Sequence, residues 1–269
     1  MIRAFQRSAI GALAVLLALF LALPVAVLLG RALFDGSLSR VLAAGAVLDA
    51  LSLSLVTTAV SLVITVCFGL PLAVLLARRS FPGATLLDAA VDLPIVLPPA
   101  VAGLALLLLL GRAGLLGGAL SAAGIEVPFT TAAVILAQVF VSAPFFVRSA
   151  RTGLGSIDRD VEDAARVDGA SEIQLFRAVT LPLAAPALTA GLVMSWARSL
   201  GEFGATIMFA GNVEGRTQTL PLVVYSQFTG GDLEGSIAAA AVLVVAAFGV
   251  LVAVRFLRWG RALDVRQLG

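Results

Sequence analysis

The chain has 269 residues, of which 60% are hydrophobic and only 13% charged, with a formal net charge of +2. A soluble domain carries roughly twice that charged fraction, so this composition belongs in a bilayer. Histidine and lysine are both absent and Cys67 is the single cysteine, which excludes imidazole chemistry, a phosphate-binding P-loop lysine and an internal disulfide.

Six uncharged stretches lie between charged residues, 8–30, 50–77, 93–111, 127–147, 178–197 and 235–254, and they predict spans over residues 8–30, 51–77, 94–111, 128–147, 183–205 and 235–254. A helix needs about 20 apolar residues, at 1.5 Å each, to cross ~30 Å of hydrocarbon, and all six meet that length. The first stretch follows Arg3 and Arg7 in the manner of a signal peptide. Its apolar run is too long for one and has no convincing cleavage site, so it reads as a retained helix.

Pro98 and Pro99 suit the first turn of the third span, which makes residues 92–97 an irregular lead-in; a simple kink is the alternative. Gln138 and Ser142 in the fourth span are placed to hydrogen-bond across helices. In the fifth span Arg198 and Glu202 stand one turn apart, as a self-satisfying ion pair or as a pathway cation with its partner; the ion pair is the preferred reading. Gly201, Gly204 and Gly211 suit broken or closely packed helix, as a gate needs, and Gly204, Pro98 and Gln138 join Arg198 and Glu202 as candidates for the pathway or its gate; Met194 and Met208 suit packing, and Tyr225 and Trp259 suit interfacial anchors.

The arginines sort by side. Thirteen fall at the termini and in the second and fourth loops, including Arg78, Arg79, Arg148, Arg151, Arg255 and Arg258. Four (Arg31, Arg40, Arg112 and Arg216) fall opposite. The positive-inside rule puts both termini and the fourth loop in the cytoplasm.

That fourth loop, 148–182, carries its own folding signals. Residues 158–168 read as a short helix stopped by Gly169, and Ser171 with Gln174 makes a capping box for a second one. Leu175 and Phe176 give the second helix an outward apolar side, and Leu181-Pro182 ends it. The pair forms a compact knuckle suited to a groove on a partner.

Asp163-Ala164-Ala165, Gly169 and the ending Val179-Thr180-Leu181-Pro182 resemble the EAA loop of ATP-binding-cassette importer permeases. Asp163 stands where that loop has glutamate, although Glu162 precedes it, and Val179 stands for isoleucine. Stretches 93–103, 137–149, 198–206 and 215–222 are similar to molybdate permeases, with close variants in sulfate permeases and most features in tungstate permeases.

The resemblance implies an all-α type I importer fold in a single permease domain of the cytoplasmic membrane. Its loop would dock on a cytoplasmic ATPase present in two copies. An extracytoplasmic oxyanion-binding protein, a homodimeric arrangement and surrounding lipid complete the implied partners. It implies no catalytic residue, cofactor, metal or nucleic acid. Transmission through the knuckle is expected by shape, with Gly169 giving the bend and Ala164 and Ala165 the close approach.

Two other classes fit less. An ion-coupled secondary transporter predicts several embedded acids and often an internal repeat, whereas Glu202 is the lone acid within a span. An intramembrane protease needs paired aspartates, a Ser–His pair or a metal motif, and none is present.

Overall fold

The computed structural model describes residues 2–36, 45–78 and 81–266, with side chains described over 10–36, 45–78, 81–253 and at Phe256. Arg40 and Arg79, and the side chains of Arg3, Arg7, Arg255, Arg258, Trp259, Arg261 and Arg266, lie outside the described residues. Every regular element among the described residues is helical.

Twelve α-helices are described: α1 (Ile2–Phe34), α2 (Ala46–Arg78), α3 (Ala84–Val96), α4 (Pro99–Leu110), α5 (Gly117–Ala122), α6 (Thr131–Gly155), α7 (Arg159–Val167), α8 (Glu172–Leu175), α9 (Leu181–Leu200), α10 (Gly204–Phe209), α11 (Leu220–Thr229) and α12 (Leu233–Arg266). A π-turn, Phe176–Thr180, joins α8 to α9. Five stretches are long and apolar enough to cross a bilayer, and α3 with α4 form a sixth apolar pair bent by 119°. The chain divides into two compact units, residues 1–51 with 223–269, and residues 52–222.

In the first unit α1 lies against α12. The α1 side chains Leu13, Leu16, Phe20 and Leu23 are all well exposed, as expected of a face turned to hydrocarbon. Ser236 Oγ donates to Val224 O at 3.0 Å, and Asp232 Oδ1 accepts from Gly235 N to start α12.

In the second unit α6 and α9 form the most extensive helix pair. Phe146, Ala150, Leu154, Ala184 and Leu188 fill one core, and Ser149 Oγ donates across it to Ala187 O at 2.7 Å. A second core joins α4, α6 and α10 through Ala102, Leu106, Val134, Val141 and Phe209.

The fold departs from the sequence expectations at four places. Residues 92–96 are helical rather than irregular, and only Leu97 and Pro98 break the chain. Each precedes a proline, whose ring disfavours the α region, and each takes ψ 133. With 12 residues, α4 covers about 18 Å, so it does not cross the hydrocarbon alone.

The fifth span stops at Leu200 rather than 205, which leaves Glu202 beyond the helix that carries Arg198. Pro182 does not end the second knuckle helix, because residues 172–200 run on as one. In the π-turn Leu181 N–H reaches back to Phe176 O, and Pro182, which has no N–H to give, sits in the first turn of α9. The long helix α6 extends to Gly155, so Arg148 and Arg151 are helical too.

Candidate functional site

The knuckle is built by local rules. Asp158 Oδ1 accepts from Asp160 N at 3.0 Å and opens α7. At the other end Gly169 takes φ +87, Gly169 N donates to Arg166 O and Ala170 N to Ala165 O, both at 3.0 Å. That pair of bonds is a Schellman closure, and a left-handed residue at its corner favours glycine. Ser171 and Gln174 then complete the expected capping box, with Ser171 N donating to Gln174 Oε1 at 2.9 Å.

Arg166 spans the elbow, donating to Asp163 Oδ1 at 2.7 Å and to Glu172 Oε1 at 2.8 Å. Its hydrogen bonds to Glu172 and then Asp163 raise its pKa, and the same Arg166 bond holds the Glu172 carboxyl below the ordinary carboxylate range. All three groups face water, so these pairs orient the elbow more than they stabilise it.

Exposed on the knuckle are Val161, Ala164, Val167 and Ile173, with Val167 87% and Ile173 71% exposed. Leu175 is buried and Phe176 half-buried, so neither forms the outward apolar side expected of them; Ile173 does. Leu181 packs on the core of α6 and α9, and Pro182 is exposed.

The acid that faces inward is Glu162, not Asp163. Arg78 Nη1 and Nη2 donate to its two carboxylate oxygens at 2.8 and 2.6 Å, and Thr180 Oγ1 donates at 2.8 Å. Neither Arg78 nor Thr180 stands out from sequence as a partner of this acid, because separations of 84 and 18 positions leave no local signature. Two further arginines pair with α3, Arg148 with Asp92 at 3.5 Å and Arg151 with Asp88.

The other candidates, apart from Gln138 within α6, lie where the spans break. Arg198 and Glu202 do form the expected ion pair, though with Glu202 past the end of α9. Glu202 is fully buried; its Oε1 accepts from Ala205 N at 2.6 Å and so holds the start of α10. Its Oε2 meets Arg198 as an ion pair without hydrogen-bond geometry.

Gly204 is pressed against Pro99: a Cβ there would lie 2.8 Å from Pro99 Cβ, which brings the two interrupted spans into contact. Neighbouring Pro98 caps α4 and is exposed. Gln138 is buried, with Nε2 donating to Thr58 Oγ1 at 3.4 Å, so the expected cross-helix bond runs to α2. Ser142 Oγ has no hydrogen-bond partner among the described residues.

Sequence reasoning also missed a stripe of buried hydroxyls on α2, comprising Ser54, Thr57, Thr58, Ser61 and Thr65. Its spacing of three and four residues was the available signal. Ser61 Oγ and Ser199 Oγ share a hydrogen bond of 2.8 Å, and Ser54 Oγ accepts from Leu220 N at 2.8 Å.

The second unit thus sets broken apolar spans around a polar seam, with a charged knuckle between two of them. Residues 69–263 match the model of the binding-protein-dependent transport system inner membrane component family. The chain belongs to that family. This membership makes it a non-enzymatic permease subunit of the ATP-binding-cassette class, in which ATP hydrolysis lies on a separate subunit.

Among the permease's relatives, the molybdenum transport system permease protein ModB of Mycobacterium tuberculosis is 41% identical over 205 residues, covering 76% of this chain and 77% of that protein. The sulfate transport system permease protein CysT of Salmonella typhimurium is 36% identical over 217 residues, covering 80% and 78%. A crystal structure of a bacterial ABC transporter involved in the import of the acidic polysaccharide alginate contains a chain that superposes with a TM-score of 0.73. That match covers 94% of each chain at 20% identity and shows the type I permease fold alone.

Proposed function

We propose that this permease carries a tetrahedral oxyanion, molybdate before sulfate or tungstate, into the cell as the membrane part of an ATP-driven importer. The observation that carries the reading is the knuckle: a Schellman-closed helix pair that turns Val161, Ala164, Val167 and Ile173 outward. Apolar side chains exposed on a short, capped helix between two spans suit a groove on a partner. In this reading the partner is a cytoplasmic ATPase in two copies. Asp163, Ala164, Ala165 and Gly169 form the docking helix, and Leu181 and Pro182 begin the span it drives.

Both termini and the knuckle face the cytoplasm, because the arginines concentrate there. The whole chain acts as one permease domain. Two copies line the path, lipid surrounds them, and an extracytoplasmic binding protein delivers the ion. Molybdate comes first because relatives named for molybdenum transport are 38% to 41% identical where CysT is 36%. Arg198 and Glu202 serve the fold of the α9 break; Pro98, Gly204 and Gln138 shape the gate around it.

Proteoliposomes holding the permease, its ATPase and its binding protein test this. Molybdate uptake that needs ATP and the binding protein is expected. Uptake of sulfate in preference to molybdate would transfer the substrate, and uptake driven by an ion gradient without ATP would reject the class.

A further inference from the structure

Within α7, Glu162 is the one buried residue. Apart from it, Ala165 is half-buried and every other residue of α7 is exposed, so apolar packing contributes little to fastening this helix to the rest of the unit. What fastens it is a carboxylate. Arg78 is the last residue of α2, and its planar guanidinium meets Glu162 with two bonds of 2.6 and 2.8 Å. Thr180 is the last residue of the π-turn leading into α9, and its hydroxyl donates to the same carboxylate at 2.8 Å. The three groups line a recess of about 440 Å³ together with Val74, Leu154 and Phe176.

We propose that Glu162 is the positioning residue that carries motion of the knuckle into the spans, by tying α7 at once to the end of α2 and to the start of α9. This rests on the coupling role given to the knuckle above, and it replaces transmission by shape with transmission through one buried charge. The fork geometry favours such a link, because two parallel bonds fix direction as well as distance, which a lysine would not do. A sideways displacement of α7 then pulls two spans together instead of sliding past them. Asp163 and Glu162 divide the work, the first facing outward with Arg166 and the second inward with Arg78.

Glu162→Gln keeps the size and the acceptor for Thr180 but removes the charge. In the reconstituted importer the variant should retain the ATPase at wild-type levels, while ATP hydrolysed per oxyanion imported rises about tenfold, because Arg78, partly buried at 20% side-chain exposure, loses its partner. Arg78→Lys, which keeps charge and loses the fork, should fall between the two. It decides the matter alone if Glu162→Gln does not accumulate in the membrane. An unchanged ratio in the variants, with or without loss of bound ATPase, overturns the proposal.

Hydrogen exchange on the detergent-solubilised permease alone gives an independent reading. Amides of 159–167 should exchange about tenfold faster in Glu162→Gln, with 131–155 unchanged. Equal exchange in wild type and variant overturns the clamp, whereas a wild-type complex that never couples to ATP defeats the transport reading instead.

Discussion

Arg198 and Glu202 pair across the end of α9, and the carboxylate that meets the guanidinium also holds Ala205 N–H at the start of α10. One buried acid therefore neutralises a cation within a span and joins two helix segments over a break of three residues. The four-residue spacing visible in the sequence is kept, but the carboxylate reaches back from beyond the helix rather than lying along it.

Glu202→Gln should leave Arg198 without its counter-charge and weaken the hold on Ala205. Removing one member of a buried pair costs roughly 3–5 kcal/mol, and Arg198, at 27% side-chain exposure, places this case toward the lower end. The double change Arg198→Met with Glu202→Met should recover much of that loss but not all, since Ala205 N–H still lacks an acceptor. Thermal unfolding of the solubilised complex measures both. Uptake by the double mutant separates the roles: near-zero flux in a well-folded protein would assign Arg198 to the pathway.

Gly169→Val meets no side chain, because the space around Gly169 is open. Its cost is the left-handed backbone, about 1–2 kcal/mol for an L-residue, and valine is among the least tolerant. Insertion into the membrane should be normal while transport uncouples from hydrolysis, and Gly169→Asn should be milder. Parallel assays of ATPase binding and uptake check this; normal uptake by the valine variant would rule out the elbow's part in coupling.

Gly204→Ala places a methyl 2.8 Å from Pro99 Cβ and 3.2 Å from Ala100 N. Neither neighbour is the free end of a flexible chain, so the two breaks must separate, at roughly 1–3 kcal/mol. A lowered melting temperature is expected, and an unchanged one would show that the contact between the breaks carries no stability.

The elbow pair has a defined pH sign. Glu172 has its carboxyl held below the ordinary carboxylate range by the Arg166 hydrogen bond. Its contribution is therefore present above the unfolded carboxylate range and is lost as pH falls through the depressed value. Amides 169–174 should exchange faster at acid pH after correction for intrinsic rates, and Glu172→Gln should abolish that extra change. Added salt should shrink the difference, because the pair is exposed.

Met194 and Met208, expected as packing residues, are 52% and 40% exposed. In a Cys67→Ser background, Met194→Cys should give efficient self-cross-links if the α9 faces of two copies adjoin in a homodimer. Cross-linking only to a second, different permease chain would point to a heterodimer.

The knuckle was the most legible part of the chain, because its instructions are local. Gly169, Ser171 and Gln174 act on backbone groups within six residues of themselves, so residue type and spacing suffice. Pro98 and Pro99 likewise announced a break, but the angle of 119° depends on what each arm packs against. At Pro182 local chemistry misled, since a proline read as a helix stop sits instead in the first turn of α9, just after the π-turn. The side chains of Trp259 and the terminal arginines lie outside the described residues.

By itself the sequence determined the solvent this chain lives in, the number of apolar stretches and the capped elbow of the knuckle, since hydrophobic length and capping chemistry operate over neighbouring residues. Only the tertiary structure decided which acid is the anchor. Glu162 and Asp163 are adjacent and chemically alike, and one residue of helix rotation, about 100°, turns the first inward to Arg78 and the second out to water. That choice depends on where α2 ends in space, which no pattern within α7 encodes.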